Sequence, residues 1–245
     1  MCLVAILYRV IDDVPVLLAA NREEAYARGG TAPDIRTGPR PYIAGLDPVA
    51  GGTWLGINVD GLIVAITNRP KSQRPESLRS RGLLVRDLLE QSSAREAMHV
   101  ASRELASNHY AGCNLILADR DSLWVVHAGD WLRVRSLAPG FHIITNADVN
   151  DSTDDRIYWV MERLHDNPPR GRDDALALLQ FVCDRPPICL HGSERGTVSS
   201  TLLALADRPR DGRLLHAQGP PDTTPYSDRT DLWWELLDRT EKEKR

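Results

Sequence analysis

Long apolar runs, lysine and cysteine are all scarce in this 245-residue chain. No apolar stretch approaches the roughly 18 residues that a membrane-crossing helix requires, because charges, Gly or Pro interrupt every run after about 4–8 residues. Lys71, Lys242 and Lys244 are its only lysines, and arginine supplies almost all of the positive charge. No basic block exists, and 34 acidic against 30 basic residues leave a net charge of −4. A nucleic-acid partner or an anionic membrane surface therefore finds no electrostatic support. The four cysteines, Cys2, Cys113, Cys183 and Cys189, form no CxxC pair and no dense disulfide framework. A bridge between Cys183 and Cys189, across Pro186-Pro187, is disfavoured in a reducing compartment. The apolar run Leu3–Leu7 has no basic lead and is followed by Arg9, Asp12 and Asp13, unlike a secretory signal. These features together predict a cytoplasmic protein without a membrane span. No CxxCH occurs, no pair among the seven histidines has ligand spacing, and no GxxxxGK[ST] loop is present, so neither a metal nor a cofactor is expected.

What is there is an ordinary globular composition, 42% hydrophobic and 26% charged, with length enough to bury a core without staples. Strand-like runs at Cys2–Val10 and Val14–Ala20 flank an Asp12-Asp13 turn, and Gly52–Val59 and Leu62–Thr67 flank Asp60-Gly61, a pair suited to positive φ. Between these hairpins, residues 27–48 are rich in Gly and Pro and read as loop. Leu83, Leu84, Leu88 and Leu89 repeat with helical spacing, and Ser93 with Glu96 opens a second helix running to about Ala106. Strands at Asn114–Ala118, Ser122–Ala128, Leu132–Leu137 and Phe141–Thr145 then suggest an antiparallel meander. Helices at about Asp154–His165 and Asp173–Cys183, strands at Thr197–Ala206 and Leu214–Gln218, and an amphipathic tail around Leu232–Leu237 complete the order. No internal repeat or low-complexity tract divides the chain. The reading is a single α+β domain over residues 1–245, a four-layer αββα sandwich of two antiparallel sheets, with residues 220–245 adding least. Trp54, Trp124, Trp131 and Trp159 are expected in the core, and Trp233-Trp234 is suited to cover a core edge or a homodimer partner.

Position 2 carries the chemistry. A small second residue lets the initiator Met be removed, leaving a cysteine with a free α-amine, so that nucleophile and base share one residue. A thiol and an α-amine both titrate close to neutral pH. The alternative is a small apolar side chain at the start of the first strand. Polar groups cluster at other strand ends: Asn21-Arg22-Glu23-Glu24, Thr67-Asn68 and Thr145-Asn146. Asn68 and Asn146 are candidate oxyanion donors or, alternatively, strand-end caps. Arg22 is suited to support a thiolate and hold a carboxylate, with Glu23 and Glu24 as partners of Arg22 or of the α-amine. Trp54 is suited to line a pocket if its strand borders Cys2.

Met1-Cys2, Ala20-Asn21-Arg22-Glu23-Glu24, Ala44-Gly45-Leu46-Asp47, Gly51-Gly52-Thr53-Trp54-Leu55-Gly56-Ile57-Asn58 and Thr67-Asn68-Arg69 resemble the NRDE family, also called the TANGO2 family. The match is strongest over residues 1–70, and Gly196-Thr197 with Ser199-Ser200-Thr201 resembles the family's late strand. The resemblance implies an N-terminal-nucleophile (Ntn) hydrolase architecture, whose cysteine branch includes bile-salt hydrolases and penicillin acylases. It implies roles for Cys2 as nucleophile, Arg22 as the early arginine, Asn68 and Asn146 as oxyanion-side asparagines, and Arg195 as a late substrate-side arginine. This chain departs from that branch at Ala25, where an Asp is usual, and has Glu23 where the family motif has Asp. The implied function is hydrolysis or acyl transfer on a non-peptide amide or thioester, with a small molecule as substrate. The family's other implied role is non-catalytic carriage of haem or an acyl-CoA or lipid ligand.

Overall fold

The computed structural model describes residues 2–73, 78–107 and 109–243. The strands are β1 (Leu3–Ile11), β2 (Val14–Ala25), β3 (Asp34–Arg36), β4 (Tyr42–Ala44), β5 (Leu55–Asn58), β6 (Ile63–Asn68), β7 (Cys113–Ala118), β8 (Leu123–Ala128), β9 (Leu132–Ser136), β10 (Gly140–Ile144), β11 (Arg195–Leu205), β12 (Arg213–Ala217) and β13 (Ser227–Asp228). The helices are α1 (Arg81–Leu88), α2 (Ala94–Ala106), α3 (Asp155–Asp166), α4 (Arg172–Cys183) and α5 (Thr230–Glu243). No helix among the described residues is long and apolar enough to cross a membrane.

The chain divides into two compact units, residues 1–29 with 138–230, and residues 30–137 with 231–245. The first unit holds a six-stranded antiparallel sheet in the order β10-β1-β2-β11-β12-β13. Alternation turns Leu3, Ala5 and Leu7 of β1, Leu17 and Ala19 of β2 and Ile143 of β10 toward Ile157, Val160 and Leu164 of α3 and Leu176 and Leu179 of α4. The intervening Val4, Ile6, Leu18 and Ala20 are also fully buried. With both faces covered, β1 and β2 read as continuous apolar runs. The second unit holds a seven-stranded sheet in the order β3-β4-β5-β6-β7-β8-β9. Here Leu62, Val64, Leu115, Leu117 and Val126 pack against Leu84 and Leu88 of α1 and Ala97 and Ala101 of α2.

Local signals emerge as read. Gly61 takes φ +84° in the Asp60-Gly61 turn, and the Ser93 side chain accepts the Glu96 N–H to open α2. The meander is corrected. Only β7, β8 and β9 pair in succession, whereas β10 leaves that sheet and pairs with β1, Val4 opposite Ile144. Alternation reports that a segment is a strand, not which edge it joins. Residues 27–48 are not all loop: β3 and β4 add two three-residue strands to the edge beside β5. Trp131 is a further correction, lying at 81% exposure beside the edge strand β9. The four cysteines carry no disulfide.

Asn21 shows why a polar residue sits inside the first core. It is fully buried, and its Nδ2 donates to the carbonyls of Cys183 at 2.9 Å and Ile188 at 3.4 Å, tying β2 to the end of α4. Asn21→Leu leaves two buried acceptors without that donor, and an expected loss of about 2–4 kcal/mol follows. A urea denaturation curve shows this as a lower midpoint with unchanged slope.

Candidate active site around Cys2

Strand register builds the centre. β1 pairs β2 with Leu3 opposite Asn21, so one further step sets Cys2 beside Arg22. On the other side of Arg22, β11 brings Ser199. On the other flank of β1, Asn146 follows two residues after Ile144, the last paired residue of β10, and so runs on toward Cys2. Opposed residues of antiparallel strands project to the same face. Cys2, Arg22 and Ser199 therefore lie in one row, on the face away from α3 and α4.

Within that row Cys2 is buried, 9% exposed. Its sulfur accepts the Glu23 backbone N–H at 3.4 Å and lies 3.9 Å from the Glu23 carbonyl. Arg22, also 9% exposed, donates through Nη1 to the Gly29 carbonyl at 2.8 Å. Glu23 is 3% exposed, and alternation points it to the α4 side of the sheet, opposite Arg22. Glu24 accepts the Ala25 N–H at 2.8 Å and meets Arg195 at 3.7 Å and Arg28 at 3.8 Å. Arg195 stands opposite Ala25 on β11, with its side chain 64% exposed. Glu24, one residue before Ala25, thus faces Arg195 across the β2–β11 pair. Met1, whose removal the nucleophile reading requires, lies outside the described residues.

Asn146 is oriented by a chain of contacts that the sequence did not disclose. Thr145 Oγ1 donates to Asp154 Oδ2 at 2.7 Å, Asp154 caps α3 by accepting the Arg156 N–H at 2.9 Å, and the Arg156 guanidinium returns to Asp154 at 3.0 Å. Arg156 Nη2 then donates to Asn146 Oδ1 at 3.4 Å. A guanidinium is a donor only, so the amide oxygen turns to it and the NH₂ turns away. Burial would raise the Asp154 carboxyl, but the hydrogen bonds from Arg156 and Thr145 outweigh it and hold the group below the usual carboxylate range. A depressed folded-state value means stability present above the unfolded value, about 3.9, and lost as pH falls through the folded one. Asp154→Asn is expected to cost about 1.5–3 kcal/mol at pH 7 and to flatten the acid limb of the stability profile below about pH 4. Thermal unfolding across pH 2–7 checks this.

Two other sequence candidates belong to the second unit. Asn68 ends β6 as an exposed residue opposite Cys113. Trp54 precedes β5 and is half-buried against the core shared with α1 and α2. Just before Asn68, Thr67 accepts from Asn114 Nδ2 at 3.1 Å, Asn114 Oδ1 lies 2.8 Å from His127 Nδ1, and Arg69 donates to Asn114 Oδ1 at 3.1 Å. This buried polar cluster went unread because its members come from four separate positions whose partnership only the β6-β7-β8 register creates. Histidine and cysteine spacing also did not disclose that Cys189, His191 and Asp222 bring their donor atoms together.

Comparison with solved structures places the fold. The Caenorhabditis elegans ortholog of N-acylethanolamine-hydrolyzing acid amidase is similar at a TM-score of 0.58 and 18% identity, over 83% of this chain and 92% of that one. Penicillin V acylase from Agrobacterium tumefaciens is similar at 0.59 and 14%, over 94% and 86%. A conjugated bile acid hydrolase variant from Clostridium perfringens is similar at 0.57 and 11%, over 94% and 93%. At such identities the likeness shows the fold alone, an α+β sandwich of the Ntn-hydrolase type, as expected. The chain belongs to the TANGO2 family, Transport and Golgi organisation 2, whose profile matches residues 1–166. The bovine Transport and Golgi organization protein 2 homolog is 37% identical over 108 residues, which are 42% of this chain and 38% of that protein. The human homolog is 35% identical over 107 residues, 42% of this chain and 38% of its own length. The matched stretch thus spans well under half of these relatives.

Proposed function

We propose that this protein is a cysteine-type Ntn hydrolase or acyltransferase acting on a small non-peptide amide or thioester. The observation that carries the reading is the row of Cys2, Arg22 and Ser199 at one sheet end, flanked by Asn146 with its NH₂ turned away from Arg156. The printed names of the structural neighbours, an acylethanolamine amidase, a penicillin acylase and a bile acid hydrolase, support a non-peptide acyl substrate. In this mechanism the α-amine of Cys2 takes the thiol proton as sulfur attacks the acyl carbonyl. Asn146 donates to the oxyanion. The proton then passes to the departing amine or thiol, leaving an acyl thioester on Cys2, and water or a second acceptor releases the acid or the transferred acyl group. Arg22, held by Gly29, supports the thiolate, while Glu24 and Arg195 contribute to substrate binding; Glu23, on the α4 side of the sheet, does not face that row. The proposed compartment is the cytoplasm.

Intact-mass spectrometry of the full chain tests this. The expected result is loss of Met1 and, after incubation with a panel of N-acyl amides and acyl thioesters, a mass increase of one acyl group that maps to Cys2 and is absent from Cys2→Ala. Retained Met1, or no adduct and no turnover across the panel, would sink the catalytic reading and leave ligand carriage on the same scaffold.

A further inference from the structure

Outside the Cys2 row, the first unit contains a second cluster of reactive side chains. Cys189 Sγ lies 3.3 Å from Asp222 Oδ1 and 3.9 Å from His191 Nε2, and His191 Nε2 lies 2.7 Å from Asp222 Oδ2. Cys189 is 3% exposed, whereas the His191 and Asp222 side chains are 50% and 31% exposed. A sulfur, a nitrogen and a carboxylate thus come together with donor atoms within 4.8 Å of one another, buried on the sulfur side and open on the other.

Both backbones that present these donors are pinned. Cys189 N–H donates to the Arg185 carbonyl at 2.8 Å, and Leu190, between the two ligands, donates to Thr197 Oγ1 at 2.9 Å and accepts the Thr197 N–H at 2.8 Å. His191 is bridged to Gly196. Asp222 sits within one turn closed by Thr223 and Thr224 N–H groups on the Pro220 carbonyl, at 3.1 and 2.8 Å. The donors are therefore set by the main chain and are not loose ends of flexible side chains.

The arrangement does not suit a nucleophilic relay. In such a relay the imidazole stands between thiol and carboxylate and uses a different ring nitrogen for each. Here Nε2 faces both, and the carboxylate touches sulfur and imidazole with its two oxygens. It does suit a metal. Tetrahedral zinc with Zn–S of about 2.3 Å and Zn–N or Zn–O of about 2.0–2.2 Å requires donor separations of roughly 3.3–3.6 Å. The Sγ–Nε2 and Sγ–Oδ1 separations lie within about 0.3 Å of that range, and one donor atom from each of the three residues lies within 4.8 Å of the other two.

We propose that Cys189, His191 and Asp222 form a zinc site with three protein ligands, its fourth position open to solvent. The ligand set selects a borderline-soft divalent cation, since thiolate and imidazole are poor ligands for magnesium or calcium. Coordination displaces the Cys189 thiol proton to water and exchanges the His191–Asp222 contact for two bonds to the metal. It clips the segment that leads into Arg195 and β11 to the segment after β12.

Cobalt(II) substitution of the purified full chain provides the test, with zinc competition. The expected result is one cobalt per chain, a near-ultraviolet sulfur-to-cobalt charge-transfer band, visible bands of tetrahedral intensity, and loss of all of them on adding zinc. Cys189→Ser removes the charge-transfer band, and His191→Ala and Asp222→Asn each weaken binding by at least about tenfold. Cys2→Ser leaves the spectrum unchanged. His191 is exposed, so its variant keeps the fold and decides the matter if Cys189→Ser does not fold. A wild-type chain without the charge-transfer band, or a band that survives in His191→Ala at unchanged affinity, would overturn the proposal.

Discussion

Iodoacetamide at pH 7 is expected to modify Cys2 faster than any other cysteine of the native chain, by at least about tenfold. The thiolate is the reactive form, so the rate follows the fraction ionised. Burial pushes the thiols of Cys113 and Cys183 up to about 12 and that of Cys189 up to about 11. At pH 7 such values leave these three thiols almost wholly protonated. Cys113 and Cys183 are also fully buried, which removes access as well as charge. Cys2 sits at the start of β1 with the Glu23 N–H directed at its sulfur. Timed quenching followed by peptide mapping gives the four rates. Comparable labelling of Cys2 and Cys189 would contradict the assignment of Cys2 as the nucleophile.

Gly52→Ala is expected to destabilise the chain by about 3 kcal/mol or more, at the upper end of what overpacking costs. A Cβ on Gly52 would fall onto the Gly82 carbonyl carbon, 2.5 Å from Leu83 N and 2.6 Å from Gly82 O. All three are backbone atoms, and the contact is locked by the Thr53 N–H donating to the Gly82 carbonyl at 3.0 Å. Neither the β5 approach nor the first turn of α1 can retreat by rotating a side chain. Gly51→Ala is the comparison: nothing lies within 4 Å of its Cβ, but its φ is +69°, so the strain is of the backbone alone, about 1–2 kcal/mol. Urea midpoints of the two variants separate a steric from a conformational cause, and a Gly52→Ala loss below about 1 kcal/mol would show that α1 can shift.

These glycines illustrate how far the sequence could be read. Gly52 was legible as the start of a strand-like run, yet its partner, Gly82, is 30 residues on and carries no local mark. The row around Cys2 had the same character. Cys2, Arg22 and Asn146 were legible as residues at strand ends, because apolar runs and turn residues mark the strands that precede or follow them. That Arg156 turns the Asn146 amide was not legible, since the link runs through the cap of α3. Likewise Cys189 and His191 are close in sequence, but the third ligand, Asp222, arrives by way of β11 and β12.

Positive φ in the Asp60-Gly61 turn, the Ser93 cap of α2, the apolar runs of β1 and β2 and the absence of a spanning helix all depend on a residue and its near neighbours, so sequence was sufficient for them. The choice of β1 over β9 as the partner of β10, the facing of Glu24 by Arg195 and the meeting of Cys189, His191 and Asp222 depend on which surfaces the whole chain buries. Contacts between residues so far apart are selected by that shared burial and by sheet register, and no local pattern encodes either.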